Sequence, residues 1–195
     1  MSVDRQRVAA AVRELLSAIG EDPDGEIFAE TPGRVADAYA EFFAGVGVDP
    51  LMHLRDTMPI GDESGELVLI RDITLRSVCE HHLLPFRGRA HVAYRPGERV
   101  AGLGAIPRVV ETLAARPQLQ ERLGEQIAEA LETGLGAAGV LVVLEASHGC
   151  VSDRGVQQAE ARVVSMASRG VLSRAVERTE VLTLLSASEA PRSGQ

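Results

Sequence analysis

The segment with the most informative residues reads Ser77-Val78-Cys79-Glu80-His81-His82, and a second segment, Ser147-His148-Gly149-Cys150, has a similar composition. The chain contains two cysteines and five histidines, and both cysteines and three of the histidines fall in these two segments. Because Cys79 and His82 are three residues apart, one turn or the end of one strand can direct both side chains to a single point. The two segments are therefore the candidate functional site.

The residue types in these segments predict a metal centre. The thiolates of Cys79 and Cys150 and the imidazole of His82 are soft to borderline ligands that suit Zn²⁺. Three protein ligands leave a fourth position for water, which is typical of catalytic zinc, and His81 and His148 add two titratable imidazoles beside it. Two simpler interpretations stay open: a pair of buried, inert cysteines, or a disulfide, which is not expected where the first residues lack a signal peptide.

Composition narrows the classes of protein to which the chain can belong. Its 195 residues, 45% of them hydrophobic, are enough for one domain with a substantial core and a helical extension. The net charge of −8 disfavours nucleic acid and anionic membranes as partners. No apolar run approaches the roughly 20 residues of a membrane span. We expect a cytoplasmic protein with neither nucleic-acid nor membrane partners.

Hydrophobic periodicity predicts an α+β chain. The predicted helices span about residues 3–19, 31–43, 106–115, 118–133 and 178–185, and the predicted strands span about residues 66–74, 84–94, 140–145 and 159–168. Thr31 is the predicted N-cap of the second helix, and residues 47–65 are predicted to be loop. The first predicted strand leads into Cys79, and the third leads to His148 and Cys150.

A wider set of sequence blocks has a recognisable order and spacing. The blocks are Glu30-Thr31-Pro32-Gly33-Arg34, Arg71-Asp72-Ile73-Thr74-Leu75, Cys79-Glu80-His81-His82-Leu83-Leu84-Pro85-Phe86 with Gly88, Gln118-Leu119-Gln120-Glu121-Arg122-Leu123, and Ser147-His148-Gly149-Cys150 with Arg154-Gly155-Val156. Together they closely resemble the GTP cyclohydrolase I family, and the resemblance runs from about residue 30 to about residue 185.

The resemblance implies the tunnelling fold, in which a four-stranded antiparallel sheet carries two helices on one face, here preceded by N-terminal helices. Residues 1–50 are then the N-terminal helical region, residues 51–185 the catalytic domain, and residues 186–195 a polar tail expected to be disordered. Family members close their sheet edges by assembling into a barrel of subunits. We therefore expect a homodecamer of two pentameric rings, with active sites at subunit boundaries.

The resemblance also implies a reaction. Zinc-dependent addition of water to C8 of the guanine of GTP opens the imidazole ring and releases formate. The ribose then rearranges and recloses to give 7,8-dihydroneopterin triphosphate, the first step of tetrahydrofolate biosynthesis. Carried over residue by residue, the metal ligands are Cys79, His82 and Cys150, the proton-transfer groups are His81 and His148, the guanine contacts are Glu121 with Gln120 and the Leu119 backbone, and the phosphate contacts are Arg34, Arg108 and Arg154.

The chain departs from the family pattern at its phosphate end. Gly104 and Ala105 occupy the places of a Ser-Lys pair that contacts the triphosphate, and Asp37 stands where many bacterial members have a further Lys. Loss of one lysine–phosphate contact weakens affinity roughly tenfold to a hundredfold. Three functions stay open: a GTP cyclohydrolase I, a divergent enzyme that opens another or less phosphorylated purine nucleotide or nucleoside, and a non-catalytic purine-binding assembly protein.

Overall fold

The computed structural model describes residues 3–60 and 65–187 of the chain. Its helices are α1 (Arg5–Ala18), α2 (Thr31–Phe42), α3 (Ala105–Ala114), α4 (Gln120–Leu135), α5 (Gly149–Ser152) and α6 (Ala175–Ser186), with 3₁₀ helices at Pro50–Leu54 and Val171–Ser173. Its strands are β1 (Thr57–Pro59), β2 (Val68–Cys79), β3 (Pro85–Arg95), β4 (Arg99–Ala101), β5 (Pro117–Gln118), β6 (Gly139–His148) and β7 (Val163–Gly170). The mixed α+β class is confirmed.

The main sheet has the order β5-β2-β3-β6-β7. The four long strands are antiparallel neighbours, as predicted, and β5 adds a two-residue parallel pairing at Val78 and Cys79. Antiparallel order brings the end of β2, the start of β3 and the end of β6 to one edge region, where Phe86 pairs in register with His148. The sheet topology therefore brings the two segments with candidate site residues, 77–82 and 147–150, close together.

The two faces of the sheet have separate cores. Helices α3 and α4 pack on one face over fully buried apolar residues of β3 and β6, among them Ala90, Val92 and Val142. On the other face, Leu172 and Val181 from the C-terminal 3₁₀ helix and α6 pack against Leu141. Successive side chains of a strand point to opposite faces of the sheet, so neighbouring residues such as Leu141 and Val142 belong to different cores.

Several predicted boundaries are wrong by a few residues or more. The predicted loop 47–65 contains a 3₁₀ helix and β1, which pairs with β4 in a separate two-stranded sheet. Thr31 is not the N-cap of α2: the cap position is Glu30, with no side-chain hydrogen bond to the helix. β2 extends to Cys79, well beyond the predicted end at residue 74. Strands of two or three residues carry too little periodicity to be recognised in a sequence.

The N-terminal helices pack chiefly against each other. Asp4 caps α1 by accepting a hydrogen bond from the Arg7 backbone N–H at 3.0 Å. On the predicted apolar face of α1 only Leu16 is buried, while Leu15 and Ile19 are 58% and 66% exposed. The apolar stripe is thus present but has few partners among the described residues.

The end of the chain is described as far as residue 187. α6 ends at Ser186, so the first residue of the predicted tail is helical and Ala187 is the C-cap, while residues 188–195 of that prediction lie outside the described residues. Within residues 3–60 and 65–187, no helix is long and apolar enough to cross a membrane.

Candidate metal centre and its surroundings

Three side chains converge at the edge where β2 and β6 end. The Sγ atoms of Cys79 and Cys150 and a ring nitrogen of His82 lie within 4.8 Å of one another. Cys79 is the last residue of β2, His82 lies in the loop to β3, and Cys150 lies in α5 directly after β6. Both cysteines are free thiols, so the disulfide interpretation is wrong. The inert-pair interpretation does not account for the imidazole beside them.

The loop that carries His82 is held by its own backbone. The Cys79 N–H donates to the Leu84 carbonyl at 2.8 Å, and the Leu83 N–H donates to the Cys79 carbonyl at 2.9 Å. Leu83 adopts a left-handed backbone conformation with φ 53°, which allows the reversal between β2 and β3. Cys79 is buried and His82 is exposed, so the thiolate side of the group faces the protein and the imidazole side faces solvent.

The chemistry of this donor set fits a divalent cation. Burial raises the pKa of the Cys150 thiol, and the neighbouring Cys79 raises that pKa further, while Arg154 acts in the opposite direction. Two adjacent thiolates therefore need a compensating positive charge. A metal that binds two thiolates and an imidazole supplies that charge, and Zn²⁺ has the matching ligand preference.

His148 is fixed beside this group by two contacts. Its ring stacks on Phe86 with centroids 4.7 Å apart and an interplanar angle of 12°. Its Nε2 lies 2.8 Å from Oε1 of Gln120. Burial lowers the pKa of His148, and the charge of Glu121 opposes that shift. The imidazole is therefore neutral more readily than a solvated one, and its plane is set by the aromatic ring below it.

The hydrogen bonds of Gln120 define the tautomer of His148. The amide nitrogen of Gln120 is 3.1 Å from the Leu144 carbonyl and 3.0 Å from the Val163 carbonyl, and both of these groups can only accept. The other amide atom is therefore the oxygen, which can only accept, so His148 Nε2 carries a hydrogen and donates it. Nδ1 is left as the nitrogen that can exchange a proton with another molecule.

This result changes the interpretation of Gln120. The sequence resemblance implies a contact with guanine, but its side chain is only 2% exposed and is fully used in hydrogen bonds to β6, β7 and His148. Glu121, next to it in the first turn of α4, is exposed, and no hydrogen bond or ion pair joins its carboxylate to another described residue. Leu119 is half-buried at the N-cap position of α4.

The remaining predicted site residues differ in how close they lie to the metal group. His81 is exposed, with its ring edge-on to His82 at 6.3 Å between centroids. Arg154 is near enough to lower the pKa of Cys150. Arg108 is exposed on α3, whereas Arg34 pairs with Glu30 on α2, and none of its ion pairs or hydrogen bonds within the described residues leads to the site.

Two residues at the site were given no role by sequence reasoning. The Glu80 carboxylate makes two hydrogen bonds to the Arg122 guanidinium, one of them 3.0 Å long, and this pairing holds the pKa of Glu80 below its usual value. Both residues stood in the quoted blocks, one inside the ligand segment and one directly after Glu121. Because Glu80 and Arg122 are far apart in the sequence, their spacing gave no indication that they pair.

Comparison with known proteins gives the family. The sequence profile of the GTP cyclohydrolase I family matches residues 8–186. A GTP cyclohydrolase 1 from Leifsonia xyli subsp. xyli is 57% identical over 182 residues, covering 93% of this chain and 95% of that protein. A GTP cyclohydrolase 1 from Bacillus subtilis is 48% identical over 182 residues, covering 92% and 95%. The chain belongs to the GTP cyclohydrolase I family.

A structural comparison adds little to this assignment. The crystal structure of the archaeosine synthase QueF-Like in the apo form covers 55% of this chain and 97% of its own, with a TM-score of 0.43 and 18% sequence identity. The family assignment rests on the sequence relatives.

Proposed function

We propose that this chain is a zinc-dependent GTP cyclohydrolase I, which opens the guanine imidazole ring of GTP by hydrolysis, releases formate and forms 7,8-dihydroneopterin triphosphate. Family membership supports the reaction. The observation that carries the proposal is the Cys79–His82–Cys150 group within 4.8 Å, with His148 and Glu121 at the same edge of the sheet. A protein that only binds purines has no need of this set.

The residues that would hold the zinc are Cys79, His82 and Cys150. A bound zinc ion supplies Lewis acidity that makes water nucleophilic near neutral pH. The chain's own contribution is to hold two thiolates on the buried side and one imidazole on the open side. This arrangement leaves the solvent side for the substrate.

Binding and proton transfer fall to the groups around the metal ligands. The exposed Glu121 carboxylate, in the first turn of α4, can accept hydrogen bonds from guanine N–H groups. His148 can take up a proton at Nδ1 and pass it to the ring nitrogen, while its Nε2–H keeps donating to Oε1 of Gln120. His81 is a second proton-transfer group on the solvent side, and Arg34, Arg108 and Arg154 are the proposed phosphate contacts.

We expect Gln120→Leu to lower kcat by about tenfold to a hundredfold with little change in KM, because it removes the acceptor that orients His148. Steady-state kinetics with GTP measures this. Gln126→Leu is the matched control, since Gln126 lies two turns further along α4 and bonds to Gln118 instead. Equal kinetics for the wild type and Gln120→Leu would contradict the orienting role.

The test of the proposed function compares substrates on zinc-loaded protein. GTP, GDP, GMP and guanosine are supplied in parallel, and formate and the pterin chromophore are followed for each. Fastest turnover of GTP supports the proposal. If GTP does not react and a less phosphorylated purine does, the enzyme carries out the same chemistry on another substrate. If none of the four releases formate, the enzymatic function is overturned.

A second candidate function is supported by the N-terminus of α3. Gly104 is its N-cap residue and Ala105 its first residue, so no side chain caps this end and no charge is present where the family has Ser-Lys. Asp37 is already paired with Arg5 at 2.9 Å and adds no positive charge. The alternative is therefore an enzyme of the same chemistry that prefers a purine nucleotide or nucleoside with fewer phosphates.

The variant Ala105→Lys separates the two candidates. If GTP is the substrate and the protein binds its triphosphate weakly, the added cation should lower the KM for GTP about tenfold to a hundredfold. The KM for guanosine, which has no phosphate, should not change. Ala105→Gln supplies a long side chain without the charge and should leave both KM values near those of the wild type. No gain for GTP in Ala105→Lys would argue that the triphosphate does not lie at this helix.

We further propose self-association into a homodecamer, at whose subunit boundaries the sites are completed. Among the described residues, β7 pairs only with β6, and the edge of β2 is paired only at its last two residues, so two sheet edges are open. Val164 and Met166 on β7 are 60% and 55% exposed. Light scattering on the purified protein tests this, and a monomer would contradict it.

Two free thiols as proposed metal ligands also support a reducing, cytoplasmic location.

A further inference from the structure

In the described part of the chain, Glu80 ties the loop after β2 to α4 and to β5, which directly precedes that helix. Its internal hydrogen bonds, described above, shape the turn but do not fix its position relative to the helix. The Glu80 backbone N–H donates to the Gln118 carbonyl at 3.0 Å, and the Glu80 carboxylate accepts two hydrogen bonds from Arg122. Glu80 lies between Cys79 and His82, so its side-chain contact with Arg122 acts on the segment that carries the imidazole.

The other end of this contact lies in the first turn of α4. Arg122 directly follows Gln120 and Glu121, the residues that orient His148 and present the free carboxylate. Because a helical turn is rigid, the position of Arg122 is coupled to the positions of both neighbours. The Glu80–Arg122 contact therefore joins the element that carries metal ligands to the element that carries the proposed guanine acceptor.

We infer that Glu80 and Arg122 are a positioning pair, which sets the distance between the metal-ligand loop and the N-terminus of α4. This inference rests on the proposed function, since the distance is the one between the metal and the guanine ring. Neither residue needs to touch the substrate. The two parallel hydrogen bonds of a guanidinium–carboxylate pair fix direction as well as distance, which a single point charge does not.

A simple solvated ion pair is the competing explanation. The side chains of Arg122 and Glu80 are 45% and 28% exposed, and exposed pairs of this kind contribute little to stability. Both explanations thus predict almost no change in the thermal midpoint when the pair is broken. They differ in metal affinity and kcat, which only a positioning role should alter.

The experiment uses the full chain and the variants Glu80→Gln, Arg122→Gln and the double variant. Zinc affinity is measured by competition with a chromophoric chelator, and kcat and KM are measured with GTP. We expect each single variant to lose about tenfold to a hundredfold in zinc affinity and in kcat, with KM unchanged and the thermal midpoint within about 2 °C of the wild type. The double variant should lose no more than Glu80→Gln alone, because all three variants lack the Glu80–Arg122 contact. Arg122→Gln keeps the Glu80 carboxylate, which lies 3.9 Å from Nε2 of His81, so a loss in that variant does not come from this second contact.

Glu125→Gln is the matched control. It breaks the ion pair between Glu125 and Arg169, whose exposure is similar to that of the Glu80–Arg122 pair. Glu125 lies on α4 one turn after Arg122, but its partner Arg169 lies on β7 and not in the ligand loop. We expect wild-type metal affinity and kcat for this variant. A loss equal to that of Glu80→Gln would overturn the positioning role.

Two failures can be told apart. If the wild type releases no formate from GTP, the proposed function fails, while the chelator competition still reports whether the pair positions the metal ligands. If the wild type is active and Glu80→Gln matches it in zinc affinity and kcat, the inference fails and the proposed function stands. Additive losses in the double variant would also overturn the inference.

Discussion

His82→Ala is expected to bind no stoichiometric zinc and to lose about a thousandfold or more of its ring-opening activity. Its imidazole is one of three donors within 4.8 Å, and removal leaves two thiols, too few for the proposed centre. Loss of the metal removes several kcal/mol of stabilisation from the transition state, and each 1.36 kcal/mol is about tenfold in rate. Metal analysis after dialysis and formate release from GTP measure the two effects.

The exposure of His82 makes this variant easy to interpret. Since the side chain faces solvent, its removal creates no cavity, and the fold should survive with an unchanged circular dichroism spectrum. His53→Ala is the matched control, because it also removes an imidazole, one that is bonded to Thr112 and is not part of the cluster. Full zinc and activity in His82→Ala, or loss of zinc in His53→Ala, would refute the proposed ligand set.

The sequence predicted the grouping of Cys79, His82 and Cys150 better than it predicted the contacts around them. The spacing of Cys79 and His82 is local, and the end of a strand is sufficient to bring them together. Cys150 joins them only because β3 lies between β2 and β6 in an antiparallel sheet, a long-range fact that the family resemblance supplied and periodicity did not. The four long strands were recognisable by alternation or, in β6, by a continuous apolar run, and the two-residue β5 had no pattern to recognise.

Gln120 and Glu80 show why the rest could not be predicted. Two polar residues at the start of a helix look alike in a sequence, yet the turn of α4 directs Gln120 inward to β6 and leaves Glu121 exposed. Which of the two is buried depends on the rotation of α4 on the sheet. Likewise, Glu80 meets Arg122 only after loop and helix are in place. Roles that depend on tertiary packing are not encoded in spacing.

Gly88→Ala is expected to destabilise the protein by about 3 kcal/mol or more, which corresponds to a fall of roughly 6–12 °C in the thermal midpoint for a chain of this size. Gly88 lies in β3 opposite Leu75 and Ala146. A Cβ there would overlap the Glu145 carbonyl oxygen and lie 2.6 Å from the Ala146 Cα. Both obstacles are backbone atoms of β6, so no side-chain rotation can relieve them.

The same substitution at Gly104 is the control, and activity distinguishes a local effect from a distant one. A Cβ at Gly104 meets nothing within 4 Å, and its backbone is in the right-handed helical region, so Gly104→Ala should change stability by less than about 1 kcal/mol.

In Gly88→Ala, by contrast, the part of β6 that must shift leads directly into Ser147 and His148. We therefore expect Gly88→Ala to lose GTP ring-opening activity even at temperatures where calorimetry shows it folded. An unchanged midpoint would mean that β3 and β6 can separate without cost, and full activity below the midpoint would mean that the position of His148 does not depend on this contact.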